Sequence, residues 1–242
     1  MDKLTFGSLF AGIGGFDLGF ERAGMICKWQ LEIDDYATKV LTKHWPNVHR
    51  ERDIRECGQH NLQRVDVICG GFPCQDISYA GLGAGLDGER SGLFFEALRV
   101  VRELQPRAIV LENVAALLTR GLDRVLGTLA EIGFDAEWHC IPAAYFGTHF
   151  RRDRVFVVAY RPQSCCLRWE RIWPNQGGTW SQQQFTRLVQ RELSLCVPAG
   201  KMQRVSDGIS NRVDRLKGLG NAVVPQVAEY IGRQIVKFEK GG

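Results

Sequence analysis

Three groups of residues have the types and surroundings that covalent chemistry on a ring would need. The first is Cys74, in the run Gly70-Gly71-Phe72-Pro73-Cys74-Gln75, which follows an apolar stretch at 65–69. A cysteine becomes a nucleophile when its thiolate is stabilised. Its Gly and Pro neighbours distinguish Cys74 from the other cysteines of the chain, which we interpret as small buried hydrophobes.

Glu112 and two arginines supply the complementary groups. Glu112-Asn113-Val114 follows an apolar run at 108–111, and Arg152-Asp153-Arg154 precedes another at 155–160. A carboxylic acid beside a cysteine nucleophile suits addition of the thiolate to a ring with protonation of a ring nitrogen. Alternate side chains of a strand share a face, so Arg152 and Arg154 would point the same way. Singly, Glu112 also fits a helix cap or ion pair and the arginines a surface patch; together the three groups indicate a catalytic site.

The sequence also predicts a binding site for an adenosine-containing cofactor. A Gly-rich turn, Phe10-Ala11-Gly12-Ile13-Gly14-Gly15, opens a helical pattern, and such a turn lets a ligand approach the backbone at a helix N-terminus. Glu32 stands 20 residues after Gly12, where an acid can accept hydrogen bonds from ribose hydroxyls. Asp53 would take an adenine amino group. The turn is not the dinucleotide pattern Gly-x-Gly-x-x-Gly, because Asp17 occupies the position of the third glycine. The order of the acids along successive strand ends fits S-adenosylmethionine as well as NAD.

These groups stand at the ends of apolar runs that alternate with helical patterns. We predict strands at 4–10, 26–31, 65–69, 108–111, 136–141 and 155–160, and helices at 16–23, 34–44, 93–104, 122–132 and 224–238. Residues 75–91 predict a long Gly-rich loop. This alternation is typical of an α/β fold in which helices cover both faces of a mostly parallel sheet.

Composition bounds the class of protein. The chain has 242 residues, of which 45% are hydrophobic and 24% charged, and these values exclude a disordered, collagen-like or coiled-coil chain. No apolar stretch is long enough to span a membrane and no signal peptide is present, so we expect a cytoplasmic protein with reduced cysteines. The cysteines form no Cys-x-x-Cys pair, and no metal site is predicted.

The positive charge is concentrated in residues 161–204. This segment holds seven cations and two anions, a net +5, while the whole chain is only +4, so the remainder is −1. It also contains Trp169, Trp173 and Trp180. A basic, aromatic segment suits a phosphate backbone and bases, although by itself it equally fits a solvated face with anchoring tryptophans.

Five runs, in this order, resemble the motifs of the DNA cytosine-5 methyltransferase family. They are residues 9–16, 70–75 with Ser78, Glu112-Asn113-Val114, Arg152-Asp153-Arg154, and Gly220-Asn221-Ala222-Val223-Val224-Pro225. The resemblance implies a Rossmann-like catalytic domain at 1–160 and 205–242, with 161–204 as an unusually short target recognition region. Phe150 and Ala80 stand where the family often has Gln and Ser.

The resemblance implies roles for individual residues. S-adenosylmethionine would be bound by Phe10, Gly12, Gly14, Gly15, Glu32, Ile33, Asp53, Ile54, Pro73, Leu93, Asn221 and Ala222. Cys74 would attack C6 of a cytosine flipped out of duplex DNA. Glu112 would hold N3 and the amino group, Arg154 the base O2, and Arg152 would support Cys74 or a phosphate.

The implied partner is double-stranded DNA. Its contacts are expected from Gln75, Ser78, Arg90, Arg168, Arg171 and Arg187, with loop 75–91 closing over the DNA. We expect a prokaryotic or phage-encoded monomer that binds neither membrane nor metal and acts at the nucleoid. A restriction endonuclease is a candidate partner, whose presence the sequence leaves open.

Two other functions remain open from sequence. One is an RNA (tRNA) cytosine-5 methyltransferase, because this motif set also occurs on a tRNA-modifying branch. The other is a non-catalytic or partner-dependent DNA-binding paralogue, motivated by the short recognition segment. A nicotinamide or flavin oxidoreductase explains neither the Cys74 run nor Glu112-Asn113-Val114, and the Asp/Asn-Pro-Pro-Tyr/Phe motif of adenine methylation is absent.

Overall fold

A seven-stranded, mostly parallel sheet organises the chain. The computed structural model describes residues 2–73, 92–146, 152–161, 218–219 and 221–239. The strands are β1 (Thr5–Leu9), β2 (Ile26–Leu31), β3 (His49–Glu51), β4 (Val67–Gly71), β5 (Ala108–Val114), β6 (Asp135–Pro142) and β7 (Asp153–Tyr160). Their order is β3-β2-β1-β4-β5-β7-β6, and β7 runs antiparallel to both of its neighbours.

The described residues also form five α-helices and three short 3₁₀ turns. The helices are α1 (Gly15–Arg22), α2 (Asp35–His44), α3 (Gly92–Leu104), α4 (Leu122–Glu131) and α5 (Pro225–Glu239), and the turns are Ile54–Glu56, Ala115–Thr119 and Ala143–Phe146. Asp34 caps α2 by accepting a hydrogen bond from the Ala37 amide at 3.0 Å, which satisfies one of the unpaired amides of the first turn. No helix among the described residues is both long and apolar enough to cross a membrane.

Helices cover both faces of the sheet, as predicted. On one face, α1 and α5 pack on β1, β4 and β7 through residues such as Phe20 and Ile231. On the other face, α3 and α4 pack on β4 and β5 through residues such as Val101 and Leu129. The sheet therefore has apolar side chains on both sides, which explains why its central strands read as continuous apolar runs.

The connections diverge between β1 and β4. From β1 the chain moves to β2 on one side, and from β4 it moves to β5 on the other. Such a switch point opens a crevice at the carboxyl ends of the two strands, where open α/β sheets bind their ligands. The Gly-rich turn after β1 and the approach to Cys74 after β4 meet at this crevice.

The largest differences from the predicted elements are at β3 and β5, while β4 ends and β7 begins two residues away from the predicted bounds. Strand β3 was not predicted, because its sequence His49-Arg50-Glu51 is polar; it forms at the sheet edge by pairing with β2. Strand β5 continues to Val114, three residues beyond its predicted end, because Glu112, Asn113 and Val114 pair with Phe156, Val155 and Arg154 of β7. The predicted loop at 75–91 and residues 162–204 of the basic segment lie outside the described residues.

Candidate active site

A cleft of about 510 Å³ lies at the carboxyl edge of the sheet. It combines both predicted sites, because Glu32 and Glu112 both line it. Ten of the twelve predicted cofactor residues line it: Phe10, Gly12, Glu32, Ile33, Asp53, Ile54, Pro73, Leu93, Asn221 and Ala222. Glu112 and Arg154 line the same cleft. Residues from β2, β4, β5 and β7 and from the turn after β1 thus converge on one space.

The Gly-rich turn and Glu32 form the cofactor end of this cleft. Gly12 has φ +55°, a left-handed conformation that glycine adopts without strain, and a Cβ there would meet nothing within 4 Å. Its amide donates to Glu32 Oε2 at 2.7 Å, and the Asp34 amide donates to Glu32 Oε1 at 2.7 Å. Both carboxylate oxygens are therefore fixed in direction, and each can accept a further hydrogen bond.

Gly14 and Gly15 do not line the cleft; they permit close packing. A Cβ on Gly14 would lie 2.5 Å from the Trp45 ring, and one on Gly15 would lie 2.3 Å from the Val223 carbonyl oxygen. The absence of a side chain at Gly15 lets the segment with Asn221 and Ala222 approach α1. Gly15 thereby lets the last predicted motif reach the cleft wall, whereas Gly14 makes room for the Trp45 ring.

Asp17 occupies the place of the third glycine of a dinucleotide motif, and its side chain is fully buried. Its carboxylate accepts hydrogen bonds from Ser8 Oγ at 3.1 Å, Gln30 Nε2 at 2.8 Å and the Cys27 thiol at 3.6 Å. Burial raises the pKa of Asp17 to about 6, against the lowering effect of these donors. Asp17 therefore ties the start of α1 to β1 and β2 beneath the cleft.

The cofactor end fits S-adenosylmethionine, the cofactor that the resemblance implies. Glu32 offers aligned acceptors for a ribose diol, and the space above Gly12 leaves room for a ligand. Phe10 and Ile33 line the same region, and the Ile33 side chain is 64% exposed in it. Apolar walls beside a few directed polar groups are typical of cofactor sites.

Glu112 and Arg154 form the other end of the cleft. Arg154 Nε lies 2.9 Å from Glu112 Oε1, and the Glu112 side chain is buried. The N–H direction does not meet hydrogen-bond geometry, so Oε1 has no hydrogen-bond donor among the described residues. A Cβ on Gly71 would lie 2.8 Å from Glu112 Oε2, so the glycine makes room for this carboxylate.

The surroundings of Glu112 change its acidity. Burial raises the pKa of Glu112 to about 7, and the nearby Arg154 and Arg152 guanidinium groups oppose the rise. Burial is thus the dominant effect, because charges lose solvation in a low-dielectric site. Near neutral pH this carboxyl group exists in both protonation states, as required of a group that donates a proton and takes it back.

Asn113 connects β5 to the segment that leads into Cys74. Its side chain is buried, and its Nδ2 donates to the Phe72 carbonyl oxygen at 3.1 Å. Its Oδ1 accepts from the Val114 amide at 2.8 Å. Consecutive residues of β5 therefore present a carboxylate to the cleft and brace the backbone two residues before the predicted nucleophile.

Other predicted site residues lie apart from the cleft or outside the described part of the chain. Arg152 does not line the cleft; its Nη1 donates to the Leu219 carbonyl oxygen at 3.0 Å, and burial, followed by the Arg154 charge, lowers its pKa. Seven predicted residues are outside the described residues: Cys74, Gln75, Ser78, Arg90, Arg168, Arg171 and Arg187.

Several lining residues were not predicted, among them Tyr36 and Arg52. Tyr36 lies in the first turn of α2, and its ring approaches the backbone of Gly218. Neither belongs to one of the motif runs, and only their proximity to Glu32 and Asp53 in the sequence was a signal. Among the described residues, no group of three or more His, Cys, Asp or Glu side chains could hold a metal ion.

Comparison with known proteins shows similar sequences among bacterial enzymes. The chain is 35% identical over 164 residues to the type II methyltransferase M.BsuFI of Bacillus subtilis, covering 66% of this chain and 40% of that protein. It is 32% identical over 162 residues to the type II methyltransferase M.HhaI of Haemophilus parahaemolyticus, covering 65% of this chain and 49% of that protein. The chain thus spans at most about half the length of these relatives.

The fold is shared with a solved structure of similar size. A candidate DNA modification methyltransferase encoded within an E. coli prophage superimposes with a TM-score of 0.68 at 17% identity, covering 98% of this chain and 100% of that one. At this identity the likeness shows the fold alone. The family model for C-5 cytosine-specific DNA methylases matches residues 4–195, most of the sequence, so the chain belongs to the C-5 cytosine-specific DNA methylase family.

Proposed function

We propose that this protein transfers a methyl group from S-adenosylmethionine to C5 of a cytosine in duplex DNA. The observation that carries the proposal is the buried Glu112–Arg154 pair, which shares one cleft with the Gly12–Glu32 cofactor end. A proton donor and a cation beside a cofactor site suit a reaction in which charge develops on a ring.

In this proposal Glu112 holds the Watson–Crick edge of the cytosine. With its pKa raised to about 7, the carboxyl group donates a proton or hydrogen bond to N3 as the ring gains electron density. The resulting carboxylate accepts a hydrogen bond from the exocyclic amino group. Arg154, 2.9 Å from Glu112, faces the base O2 and stabilises the carboxylate whenever it is charged.

Cys74 is the proposed nucleophile, on the basis of its sequence context after β4. Its thiolate forms a bond to C6, and the electron pair of the C5–C6 double bond becomes available at C5. After C5 has taken the methyl group, a base removes the C5 proton. Its electron pair restores the double bond as the bond from Cys74 to C6 breaks, so the thiolate is regenerated.

S-adenosylmethionine is the cofactor of this family, and when bound it supplies an electrophilic methyl group. Glu32 would hold its ribose hydroxyls, Phe10 and Ile33 would pack on the adenine, and Asp53 would take the adenine amino group. These residues orient the cofactor, whereas Glu112 and Arg154 act only on the base.

The buried position of Glu112 sets a requirement on the DNA. A cytosine stacked in a duplex cannot reach a carboxylate that is only 6% exposed, so the base must leave the stack. Extrusion costs a few kcal/mol, which contacts in the cleft and to phosphates offset. Residues 161–204, with a net charge of +5, are the proposed contact region.

The decisive assay measures transfer of labelled methyl groups from S-adenosylmethionine to duplex DNA of varied sequence. Cys74→Ser should abolish transfer, and the matched variant Cys140→Ser, at a partly buried cysteine on β6, should retain it. Retained transfer in Cys74→Ser would reject Cys74 as the nucleophile, and duplex binding without transfer would favour the non-catalytic alternative.

The acceptor is decided by two further measurements. Substitution of tRNA for duplex DNA tests the RNA alternative, and transfer to tRNA alone would overturn the proposed substrate. Bisulfite sequencing of DNA from cells that express the protein should show protected cytosines within one short sequence. That pattern would identify the target and confirm modification at C5 together.

A further inference from the structure

The turn between β2 and α2 carries the apolar wall at the cofactor end of the cleft. Ile33 is the residue after Glu32, and its side chain lines the cleft while remaining 64% exposed. A large apolar side chain with so little packing around it has no core contacts to fix it. Its position therefore depends on how the backbone of residues 32–35 is held.

Arg52 provides a second attachment for this turn. It follows β3 directly, and β3 lies beside β2 in the sheet. Its guanidinium group donates to the Ile33 carbonyl oxygen, to Asp35 Oδ1 at 2.5 Å and to Thr38 Oγ1 at 2.8 Å. One planar fork thus joins the wall residue, the first residue of α2 and the next turn of that helix.

Glu32 and Arg52 hold the same turn through different backbone groups. Glu32 Oε1 accepts from the Asp34 amide, and Arg52 binds the carbonyl oxygen of Ile33, which lies between these two residues. The Arg52 side chain is 46% exposed and Asp35 is 84% exposed, so their ion pair contributes little to folding stability. Its effect is therefore expected on the geometry of the turn rather than on global stability.

We propose that Arg52 is a positioning residue for the adenosyl half of the cofactor, acting by fixing the Ile33 wall of the cleft. This inference rests on the proposed function, because it takes S-adenosylmethionine as the ligand. Arg52 lines the cleft itself, so a direct contact with the methionine carboxylate is the competing explanation.

Cofactor affinity, measured by calorimetry on the full chain without DNA, tests the proposal. Arg52→Ala should weaken S-adenosylmethionine binding about fivefold to twentyfold. Without Arg52 the turn that carries Ile33 must be ordered when the cofactor binds, and the free-energy cost of that ordering lowers the affinity. Arg52→Lys, which lacks the fork, should restore only part of the affinity. Arg64→Ala, at an exposed arginine outside the cleft lining, is the matched control and should bind like the wild type.

Methylthioadenosine separates the two explanations. It contains the adenosyl half and lacks the methionine carboxylate, so Arg52→Ala should weaken its binding by the same factor as for S-adenosylmethionine. Unchanged methylthioadenosine affinity in Arg52→Ala would show a direct carboxylate contact and overturn the proposal.

A double-mutant cycle tests whether Arg52 acts through Ile33. Ile33→Ala alone should weaken binding, and adding Arg52→Ala should then have little further effect, because coupled residues are non-additive. Independent effects that multiply, or an Arg52→Ala affinity within about twofold of the wild type, would reject the inference. Failure of the wild-type protein to bind S-adenosylmethionine would instead reject the proposed function itself. Thermal unfolding of each unliganded variant checks that the fold is intact.

Discussion

Two buried glutamates at the same sheet edge have opposite surroundings. Glu32 and Glu112 are 8% and 6% exposed, and both line one cleft. Glu32 receives a backbone amide on each carboxylate oxygen. Glu112 Oε1 has an arginine beside it at 2.9 Å but no hydrogen-bond donor among the described residues.

The difference in surroundings suits Glu32 to ligand binding and Glu112 to proton transfer. A carboxylate that binds a neutral diol must be fixed in direction, and two backbone amides fix Glu32. A carboxyl group that exchanges a proton during a reaction must be able to exist in both forms, and burial, only partly opposed by Arg154 and Arg152, raises the pKa of Glu112 to about 7. Similar burial thus yields a binding group at one end and an acid at the other.

The largest expected effect is a loss of methyl transfer on substitution of Glu112, with no loss of cofactor binding at the Glu32 end of the cleft. Glu112→Gln should lower single-turnover methyl transfer by about 10²–10⁴-fold, because the amide cannot supply a proton to the ring. Its affinity for S-adenosylmethionine should be unchanged. Glu137→Gln alters another buried glutamate, on β6 and outside the cleft lining, and should retain transfer; equal losses in both variants would indicate a general structural effect.

The converse change should affect cofactor binding alone. Glu32→Ala should weaken S-adenosylmethionine about 10–100-fold, because two amides lose their acceptor and the ribose loses its partner. Transfer at saturating cofactor should remain near the wild-type rate. Calorimetry together with kcat and KM measures this division, and a drop in kcat with unchanged KM would contradict the assignment of Glu32.

The adjacent glycines Gly70 and Gly71 allow the stability of the fold and the position of Glu112 to be tested separately. A Cβ on Gly70 would lie 2.6 Å from the Leu9 carbonyl oxygen, whereas one on Gly71 would lie 2.8 Å from Glu112 Oε2. Gly70→Ala should therefore destabilise the fold by about 1–3 kcal/mol, since backbone cannot easily move aside. Gly71→Ala should chiefly displace the carboxylate and reduce transfer. Denaturant unfolding and transfer assays distinguish the variants, and the reverse pattern would refute this reading.

The smallest expected effect is a pH dependence of stability. The pKa of Glu112 is about 7 in the folded protein and ordinarily 4.5, so the folded state binds the extra proton between these values. The contribution of this bound proton to the free energy of unfolding is fully present below about pH 4.5 and is lost as pH rises through about 7. The free energy of unfolding of Glu112→Gln relative to wild type should therefore rise as the pH increases across this window. A flat difference in urea-unfolding free energy would show that Glu112 does not titrate there.

Much of the fold follows from the amino-acid sequence because the sheet is buried on both faces. Continuous apolar runs predicted six of the seven described strands. Strand β3 gave no such signal, because an edge strand can be polar and form through pairing with β2 alone. The end of β5 was also missed, since pairing with β7, rather than hydrophobicity, extends it through Glu112 and Asn113.

The site was predictable where a motif required it. Glu32 and Glu112 stand at the carboxyl ends of parallel strands, and Arg154 stands at the start of the antiparallel β7, which lies at the same edge of the sheet. Arg52 belongs to no motif, and its three acceptors come from another part of the chain, so its role was visible only in the structure. Gly14 and Gly15 fit a ligand-binding turn by pattern, yet their neighbours are Trp45 and Val223.

The sequence by itself determined the chemical groups, their order along the chain and the alternation that places them on one edge of a sheet. Only the tertiary structure decided which groups adjoin and how each behaves. The acidity of Glu112 depends on burial and on Arg154, a residue of a non-consecutive strand. Desolvation and charge interactions depend on distances in space, and those distances are fixed by sheet topology rather than by spacing along the chain.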